Sequence, residues 1–290
     1  MSIGTLYLVA TPIGNLNDLS PRAAATLGSV DFIAAEDTRV SQKLLAHLDL
    51  HKPMVSYYEH NRRQRGEEIL ARVLAGENCA LVTDAGTPAV SDPGEDLVAL
   101  CAEHDIPCIP VPGACAAVCA LAASGLPSGR WCFEGFLSVN KKTRREHLTT
   151  LAHETRTMIF YEAPHKLRAT LADLAAAFGD ERRVSLSREL TKLHEETRRT
   201  TLGGAVEYYG EHDPRGEFVL IVEGCADEPS EQDDDACMER ALEEVRRRME
   251  AGETRKDAVK MASAGCGVKK NALYQRVLQQ DSQTPFADES

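Results

Sequence analysis

The chain alternates short apolar runs with amphipathic stretches through most of its length, and the alternation changes character near its end. Leu6–Ala10, Asp31–Ala35, Met54–Tyr58, Cys79–Thr83 and Ile109–Val111 carry the density of apolar residues expected of buried strands. Helical spacing fills the gaps. Ser20-Pro21 is an N-cap and first-turn pair that predicts a helix to about Leu27. Further helices are predicted from the Glu36–Arg39 segment through Leu48, over Glu67–Ala75, and over Ala114–Ser124 with Gly125 as the stop. Asp92-Pro93-Gly94-Glu95 reads as a cap, a first-turn proline and a capping-box acid, opening a helix to about His104. Strands regularly followed by helices predict an α/β domain with a largely parallel sheet over residues 1–125. The pattern resumes after Leu126-Pro-Ser-Gly129, with strands over Cys132–Leu137, Thr157–Tyr161, Arg183–Arg188 and Phe218–Glu223 and helices over Thr143–Leu151 and Pro164–Phe178. This predicts a second α/β domain over 126–225. Beyond it the apolar runs stop. An acidic linker is expected over 226–235, then helices over Ala236–Ala251, Thr254–Ala264 and Asn271–Gln279 that make a helix-turn-helix-like unit over 236–279, and a disordered tail over 280–290.

Between strand and helix lie loops of small residues. Leu81-Val-Thr-Asp-Ala-Gly-Thr-Pro-Ala-Val-Ser-Asp-Pro-Gly94 follows one apolar run, Val9-Ala-Thr-Pro-Ile-Gly-Asn15 another, and Val111-Pro-Gly-Ala-Cys115 a third. Any one of them alone reads as an ordinary turn at a strand end. All of them together, each after a buried strand, suggest one ligand crevice at the carboxyl edge of a sheet. Neither GxGxxG nor GxxxxGK[ST] occurs, which argues against a standard dinucleotide fold or a P-loop, and HExxH and GxSxG are likewise absent. Asp92 is accounted for by helix capping and is left out of the candidate site.

Charge and cysteine usage narrow the classes. The formal net charge of -12 argues against a generic nucleic-acid binder, although global charge conceals local patches. Asp227–Asp235 holds six acids and no base, whereas Arg255–Arg276 holds six bases against the single acid Asp257. Lys141-Lys-Thr-Arg-Arg145 is a second basic run. Each basic run reads either as a solvated face or as a phosphate grip. Nine cysteines occur without a CxxC pair, which favours buried free thiols in a reducing cytoplasm and no metal site. No signal peptide is read before the first strand, and the longest apolar stretch, Ala114–Ala123, is short of the roughly 20 residues a membrane span needs.

An ordered set of motifs runs along the chain: Leu6-Tyr-Leu-Val-Ala-Thr-Pro-Ile-Gly-Asn-Leu-Asn-Asp-Leu-Ser-Pro-Arg22, Ala35-Glu-Asp-Thr-Arg39, Tyr58-Glu-His-Asn61, the loop at Leu81–Gly94, Val111-Pro-Gly113, Phe160-Tyr-Glu-Ala-Pro-His165, Ser187-Arg-Glu-Leu-Thr-Lys192, Gly216-Glu217 and the helix pair that begins near Arg255. Taken in order, these motifs resemble those of the ribosomal small-subunit methyltransferase I group within the tetrapyrrole methylase-like, class III methyltransferases. The resemblance covers nearly the whole chain. Tyr58, where the group has histidine, and Gly265-Cys-Gly267 depart from its pattern.

The resemblance implies two α/β domains of the tetrapyrrole methylase type with a small C-terminal helical unit, a homodimer, and S-adenosylmethionine as cofactor. It also implies 2′-O-methylation of a cytidine of small-subunit (16S) ribosomal RNA, free or in the assembled subunit. The expected cofactor wall comprises Pro12, Ile13 and Gly14; Asp84, Ala85, Gly86, Val90 and Ser91; Cys115, Ala116 and Tyr161; and, by motif matching, Leu190, Gly216, Glu217 and Phe218. Methyl transfer from a sulfonium needs alignment and a proton acceptor but no metal in principle. Glu36 and Glu189 are the candidate bases, between which the sequence does not choose. Arg39, Arg188 and Lys192 are candidate phosphate ligands, and Asp37, Glu59, His60 and Asn61 are expected on the substrate side. For RNA reach the expected residues are Lys141, Lys142, Arg144 and Arg145, with Arg255, Lys256, Lys269 and Lys270 from the last unit. Two alternatives stay open: a porphyrin-type tetrapyrrole methyltransferase, and a noncatalytic RNA-binding assembly factor that has kept the fold.

Overall fold

In a computed structural model of the chain, the apolar runs of the N-terminal region become strands β1 (Leu6–Val9), β2 (Phe32–Ala35), β3 (Met54–Ser56), β4 (Cys79–Val82) and β5 (Cys108–Val111). The structure describes residues 3–226, 231–250, 252–266 and 268–283. These strands form an all-parallel sheet in the order β3-β2-β4-β1-β5. Alternate side chains enter opposite cores, which is why the runs read as continuously apolar. Leu6, Phe32, Cys79 and Leu81 pack on one face, and Val9, Ile33, Ala80 and Val82 on the other. The helices α1 (Pro21–Ser29), α2 (Thr38–His47), α3 (Arg62–Leu74), α4 (Glu95–Glu103) and α5 (Ala116–Ser124) separate the strands. Ser20 caps α1 as expected, its hydroxyl accepting the Ala23 N–H at 3.1 Å. α3 starts at Arg62 rather than Glu67. Its first turn is Arg-Arg-Gln-Arg, with no apolar position to mark the period.

The second sheet is mixed, with β6 (Trp131–Phe136), β7 (Thr157–Glu162), β8 (Arg183–Arg188), β9 (Glu196–Thr201) and β10 (Phe218–Val222) in the order β6-β7-β10-β8-β9. Only the β6–β7 pair is parallel. Helices α6 (Lys141–Thr150), α7 (Pro164–Phe178) and α8 (Leu202–Glu211) belong to this half. Neither β9 nor α8 was signalled by periodicity: β9 is Glu-Thr-Arg-Arg-Thr-Thr, a polar edge strand without an apolar face. The outer face of this sheet carries the largest core, built from Met158, Phe160, Leu167, Leu186, Phe218 and Leu220 among others. Its inner face is covered by α5. Ala117, Ala120 and Leu121 pack against Ile159, Val219 and Ile221. A helix that follows the first sheet in sequence thus lies on the second sheet, and the chain up to Cys225 is one compact unit.

Ala226 onward is a separate unit. Its helices α9 (Glu231–Glu250), α10 (Arg255–Cys266) and α11 (Lys270–Gln283) enclose a small core of Ala241, Val245, Val259, Ala262, Leu273 and Val277. Part of the segment expected as a linker is helical, since α9 begins at Glu231, and residues 227–230 lie outside the described residues. Likewise α11 runs past Gln279 to Gln283, and residues 284–290 of the expected tail lie outside the described residues. Among the described residues, no helix is long and apolar enough to cross a membrane.

Candidate functional site

The sheet order places β4, β1 and β5 side by side, so the loops that leave their carboxyl ends emerge as neighbours. Backbone and hydroxyl bonds lace them together. The Thr11 N–H donates to the Gly86 carbonyl at 2.9 Å and the Gly86 N–H to the Thr11 carbonyl at 3.1 Å. The Thr11 hydroxyl donates to the Thr83 carbonyl at 3.1 Å, and the Thr87 hydroxyl to the Ala114 carbonyl at 3.0 Å. Gly86 holds φ at +93°, and a Cβ there would meet Ile13 at 3.3 Å. Only glycine meets both conditions without strain.

These loops form one wall of a cavity of about 280 Å³. Ile13, Asp84, Ala85, Gly86, Thr87, Val90, Ser91, Asp92, Cys115 and Ala116 line it from the first sheet. Phe136, Tyr161, Glu162, Ser187, Glu189, Leu190, Lys192, Glu217, Phe218 and Val219 line it from the second. Strain concentrates at this cleft. Among the described non-glycine residues with positive φ, Ala89 (64°), Ser91 (67°), Glu189 (51°) and Thr191 (66°) belong to the two loops that face each other across it, while Asp49 and Asp105 follow helices. Such conformations persist where the surrounding structure imposes them, typically at ligand clamps.

The cavity is acidic. The Glu36 carboxylate sits behind the first wall, accepting the Thr83 hydroxyl at 2.7 Å and the Asp84 N–H at 3.4 Å. Asp84 accepts the Asp37 N–H at 3.1 Å. Burial and the neighbouring Glu36 push the Asp84 carboxyl above its ordinary range. Asp92 is pushed further, to about 6, by burial first and by Glu36, Asp84 and Glu217, with Thr83 opposing through a hydrogen bond. On the second wall the Tyr161 hydroxyl accepts the Ala117 N–H at 3.1 Å at the start of α5. Burial raises that phenol to about 12, so it is neutral at ordinary pH. Among the described residues, no group of His, Cys, Asp or Glu is arranged to hold a metal ion.

Ile13, Asp84, Ala85, Gly86, Val90, Ser91, Cys115, Ala116, Tyr161, Leu190, Glu217 and Phe218 of the expected cofactor wall line the cavity. Pro12, Gly14 and Gly216 do not, although a Cβ on Gly14 would meet Lys192 at 2.6 Å and one on Gly216 would meet the Glu189 carboxylate at 2.5 Å. Of the expected catalytic set, Glu189 and Lys192 line the cavity and pair with each other at 3.0 Å. Glu36 stands behind it. Arg188 pairs with Glu196 of β9 at 2.7 Å, and Arg39 is solvent-exposed against Asp37 at 2.6 Å. That contact holds Asp37 down at about 2.

The substrate-side segment Glu59-His60-Asn61 follows the edge strand β3 and does not line the cavity. Asn61 serves its own turn, accepting the Tyr58 N–H and donating to the Ser56 carbonyl. Arg144 requires a correction. It is nearly buried, forming an ion pair with Asp173 of α7 at 2.6 Å, so its guanidinium fixes α6 and is not offered to a ligand. Lys141, Lys142 and Arg145 beside it are exposed, as are Lys256, Lys269 and Lys270 in the second unit, where Arg255 is half-buried.

The capping reading of Asp92 is also corrected. α4 begins at Glu95 with Gly94 (φ 142°) as its cap residue and no side-chain cap. Asp92 instead turns into the cavity and is part of its lining. Phe136 was missed as well, because an aromatic at the end of an apolar strand reads as core.

A family model described as Tetrapyrrole (Corrin/Porphyrin) Methylases matches residues 5–206. That match covers more than half of the chain, which is therefore a member of the tetrapyrrole methylase class. Over 279 residues the chain is 49% identical to the Ribosomal RNA small subunit methyltransferase I of Synechocystis sp., covering 96% of this chain and 98% of that protein. It is 44% identical to the protein of the same name from Escherichia coli O157:H7, covering 96% of each. The chain belongs to the ribosomal RNA small subunit methyltransferase I family. Among solved structures, the methyltransferase CobJ shares the fold with a TM-score of 0.58 at 20% identity, covering 77% of this chain and 95% of that one. Uroporphyrin-III C-methyltransferase from Thermus thermophilus, complexed with S-adenyl homocysteine, gives 0.54 at 20% identity, covering 76% and 97%.

Proposed function

We propose that the protein uses S-adenosylmethionine to methylate the ribose 2′-hydroxyl of a cytidine in small-subunit ribosomal RNA, acting as a cytoplasmic homodimer. The observation that carries this reading is the cavity at the carboxyl edge of the parallel sheet, whose walls suit a cationic nucleoside. Ile13, Val90, Ala116 and Leu190 offer apolar surface. Asp84, Asp92, Glu189 and Glu217 offer negative charge against a sulfonium and an ammonium. When bound, the cofactor supplies a methyl group already activated by its positive sulfur.

The chain's own task is then to align, to exclude water and to take a proton. The laced loops and the strained turns hold their backbone groups in place before any ligand arrives, which limits the ordering cost of binding. Transfer would form an O–CH3 bond and break the sulfonium–methyl bond, leaving a neutral thioether, so the chain must accept the hydroxyl proton on a carboxylate. Glu36 is engaged behind the wall by Thr83 and Asp84, and Glu189 is paired with Lys192. Asp92 lines the cavity, and its carboxyl near 6 is ionised at neutral pH yet basic enough to accept. In this reading Asp92 is the acceptor. Lys141, Lys142 and Arg145, with Lys256, Lys269 and Lys270 of the second unit, supply phosphate contacts despite the net charge of -12.

The test is incubation with tritiated S-adenosylmethionine and purified small ribosomal subunits, followed by mapping of the labelled nucleotide. Label on a cytidine ribose is expected. Label on a base overturns the 2′-O assignment, and binding to subunits without any label overturns the enzymatic reading. Light scattering of the purified protein at micromolar concentration checks the dimer.

A further inference from the structure

Phe136 is out of place for an apolar residue. It ends β6, lines the cavity, and leaves 57% of its surface exposed. Strict strand alternation would turn it to the opposite face, with Glu134, whose carboxylate meets His147 of α6 at 3.0 Å. A bulge prevents this. The β6–β7 register runs Phe133↔Ile159, then Gly135↔Phe160 and Phe136↔Tyr161, so Glu134 is the extra residue and Gly135 takes φ +62°. The bulge brings Phe136 onto the face of Phe133 and Tyr161. Both rings meet Tyr161 edge-on, Phe133 at 5.1 Å and Phe136 at 5.5 Å between centroids. Tyr161 is itself pinned by the Ala117 N–H. The outcome is an aromatic face held in a fixed orientation at the cavity and left uncovered. Other apolar exposure lies nearby in the walls: Val90 lines the cavity at 39% exposure, and Leu193, at 93%, follows the lining residue Lys192.

We propose that Phe136 is the stacking platform for the base of the nucleotide whose ribose enters the cavity. The proposal rests on the RNA reading above. A flat base is the part of such a substrate that an exposed, oriented ring recognises, and stacking is the general way proteins hold a base removed from its helix. Among the described residues that line the cavity Lys192 is the one cation, and the exposed Phe136 ring offers a base a flat, uncharged contact.

The experiment compares Phe136→Leu, which keeps apolar bulk without a π face, with Phe136→Trp, which keeps the face. Phe136 is exposed enough that both are expected to fold, and unfolding midpoints verify it. Readouts are KM and kcat for small subunits, S-adenosylhomocysteine affinity by calorimetry, and quenching of a single-stranded RNA oligonucleotide carrying one pyrrolocytidine. Phe136→Leu is expected to weaken subunit recognition by roughly 5- to 100-fold and to lose the quench, with S-adenosylhomocysteine affinity unchanged, while Phe136→Trp stays near wild type. Unchanged KM and quenching in Phe136→Leu overturns the proposal. So does a parallel loss of S-adenosylhomocysteine affinity, which would put Phe136 in the cofactor wall. A wild-type protein that labels no subunit defeats the RNA reading itself, an outcome separate from either.

Discussion

The two walls of the cavity are built on different principles. The wall from the parallel sheet is made of backbone: small residues, reciprocal Thr11–Gly86 bonds, and hydroxyls of Thr11 and Thr87 spent on carbonyls. The wall from the mixed sheet presents side chains, with Phe136, Tyr161, Glu189 and Lys192 reaching inward from strand ends and the turn after β8. The first wall is shaped mainly by its laced backbone, and the second mainly by the side chains it presents. Asp84 and Asp92 set two carboxylates in the backbone-built wall.

Asp92 is where a substitution in the first wall is expected to cost the most. Asp92→Asn is expected to lower the single-turnover rate at saturating cofactor by about 10²- to 10³-fold, the usual worth of a general base, and to abolish a rise in rate through pH 6. A smaller loss with the pH limb intact would move the proton to Glu189. At Gly86, valine meets both the positive φ and the Ile13 contact at 3.3 Å, so about 2–3 kcal/mol of stability and most of the cofactor affinity are expected to go, as read by denaturant melts and calorimetry. Behind the second wall, Arg144→Ala strands the buried Asp173 carboxylate with only the longer Arg145 contact at 3.4 Å, for a loss of about 2–3 kcal/mol and no change in the salt dependence of RNA binding. The converse is expected of the Lys141→Ala, Lys142→Ala pair: stability within about 0.5 kcal/mol of wild type, and a shallower salt slope.

The smallest effect concerns pH and the fold. The folded protein holds the Asp92 proton more tightly than the unfolded chain does. The group therefore weakens the fold as pH rises from about 4 through 6, and the cost is complete above 6. Asp92→Asn should thus be more stable than wild type at pH 8 by about 1 kcal/mol, after allowing for solvent screening, with no gain at pH 4. An equal gain at both would show that the effect is packing.

The first wall was legible in the sequence because its chemistry is its composition. Small residues after apolar runs marked the loops at Pro12, Asp84 and Val111, and parallel pairing of β4, β1 and β5 made them neighbours. The second wall was legible only through family motifs at Tyr161, Glu189–Lys192 and Glu217. Phe136 escaped because a bulge changes the face of a side chain without changing the residues on either side of it. Asp92 escaped because Asp-Pro-Gly-Glu imitates a helix start two residues before the real cap at Gly94. β9 has no apolar face to give it period, and Arg144 finds its partner 29 residues away on another helix, a distance no local pattern reports.

The position of α5 also limits how the cleft can move. Its Ala117, Ala120 and Leu121 are buried on Ile159, Val219 and Ile221 of the second sheet, although its chain enters directly from the first. A hinge that swung the sheets apart would strip this interface and draw Tyr161 from the start of the helix. The helix ties the two sheets together through this buried interface. With the sheets tied in this way, the positive-φ turns at Ala89–Ser91 and Glu189–Thr191 are the parts of the walls that α5 does not brace, and flexing is expected there before any parting of the sheets.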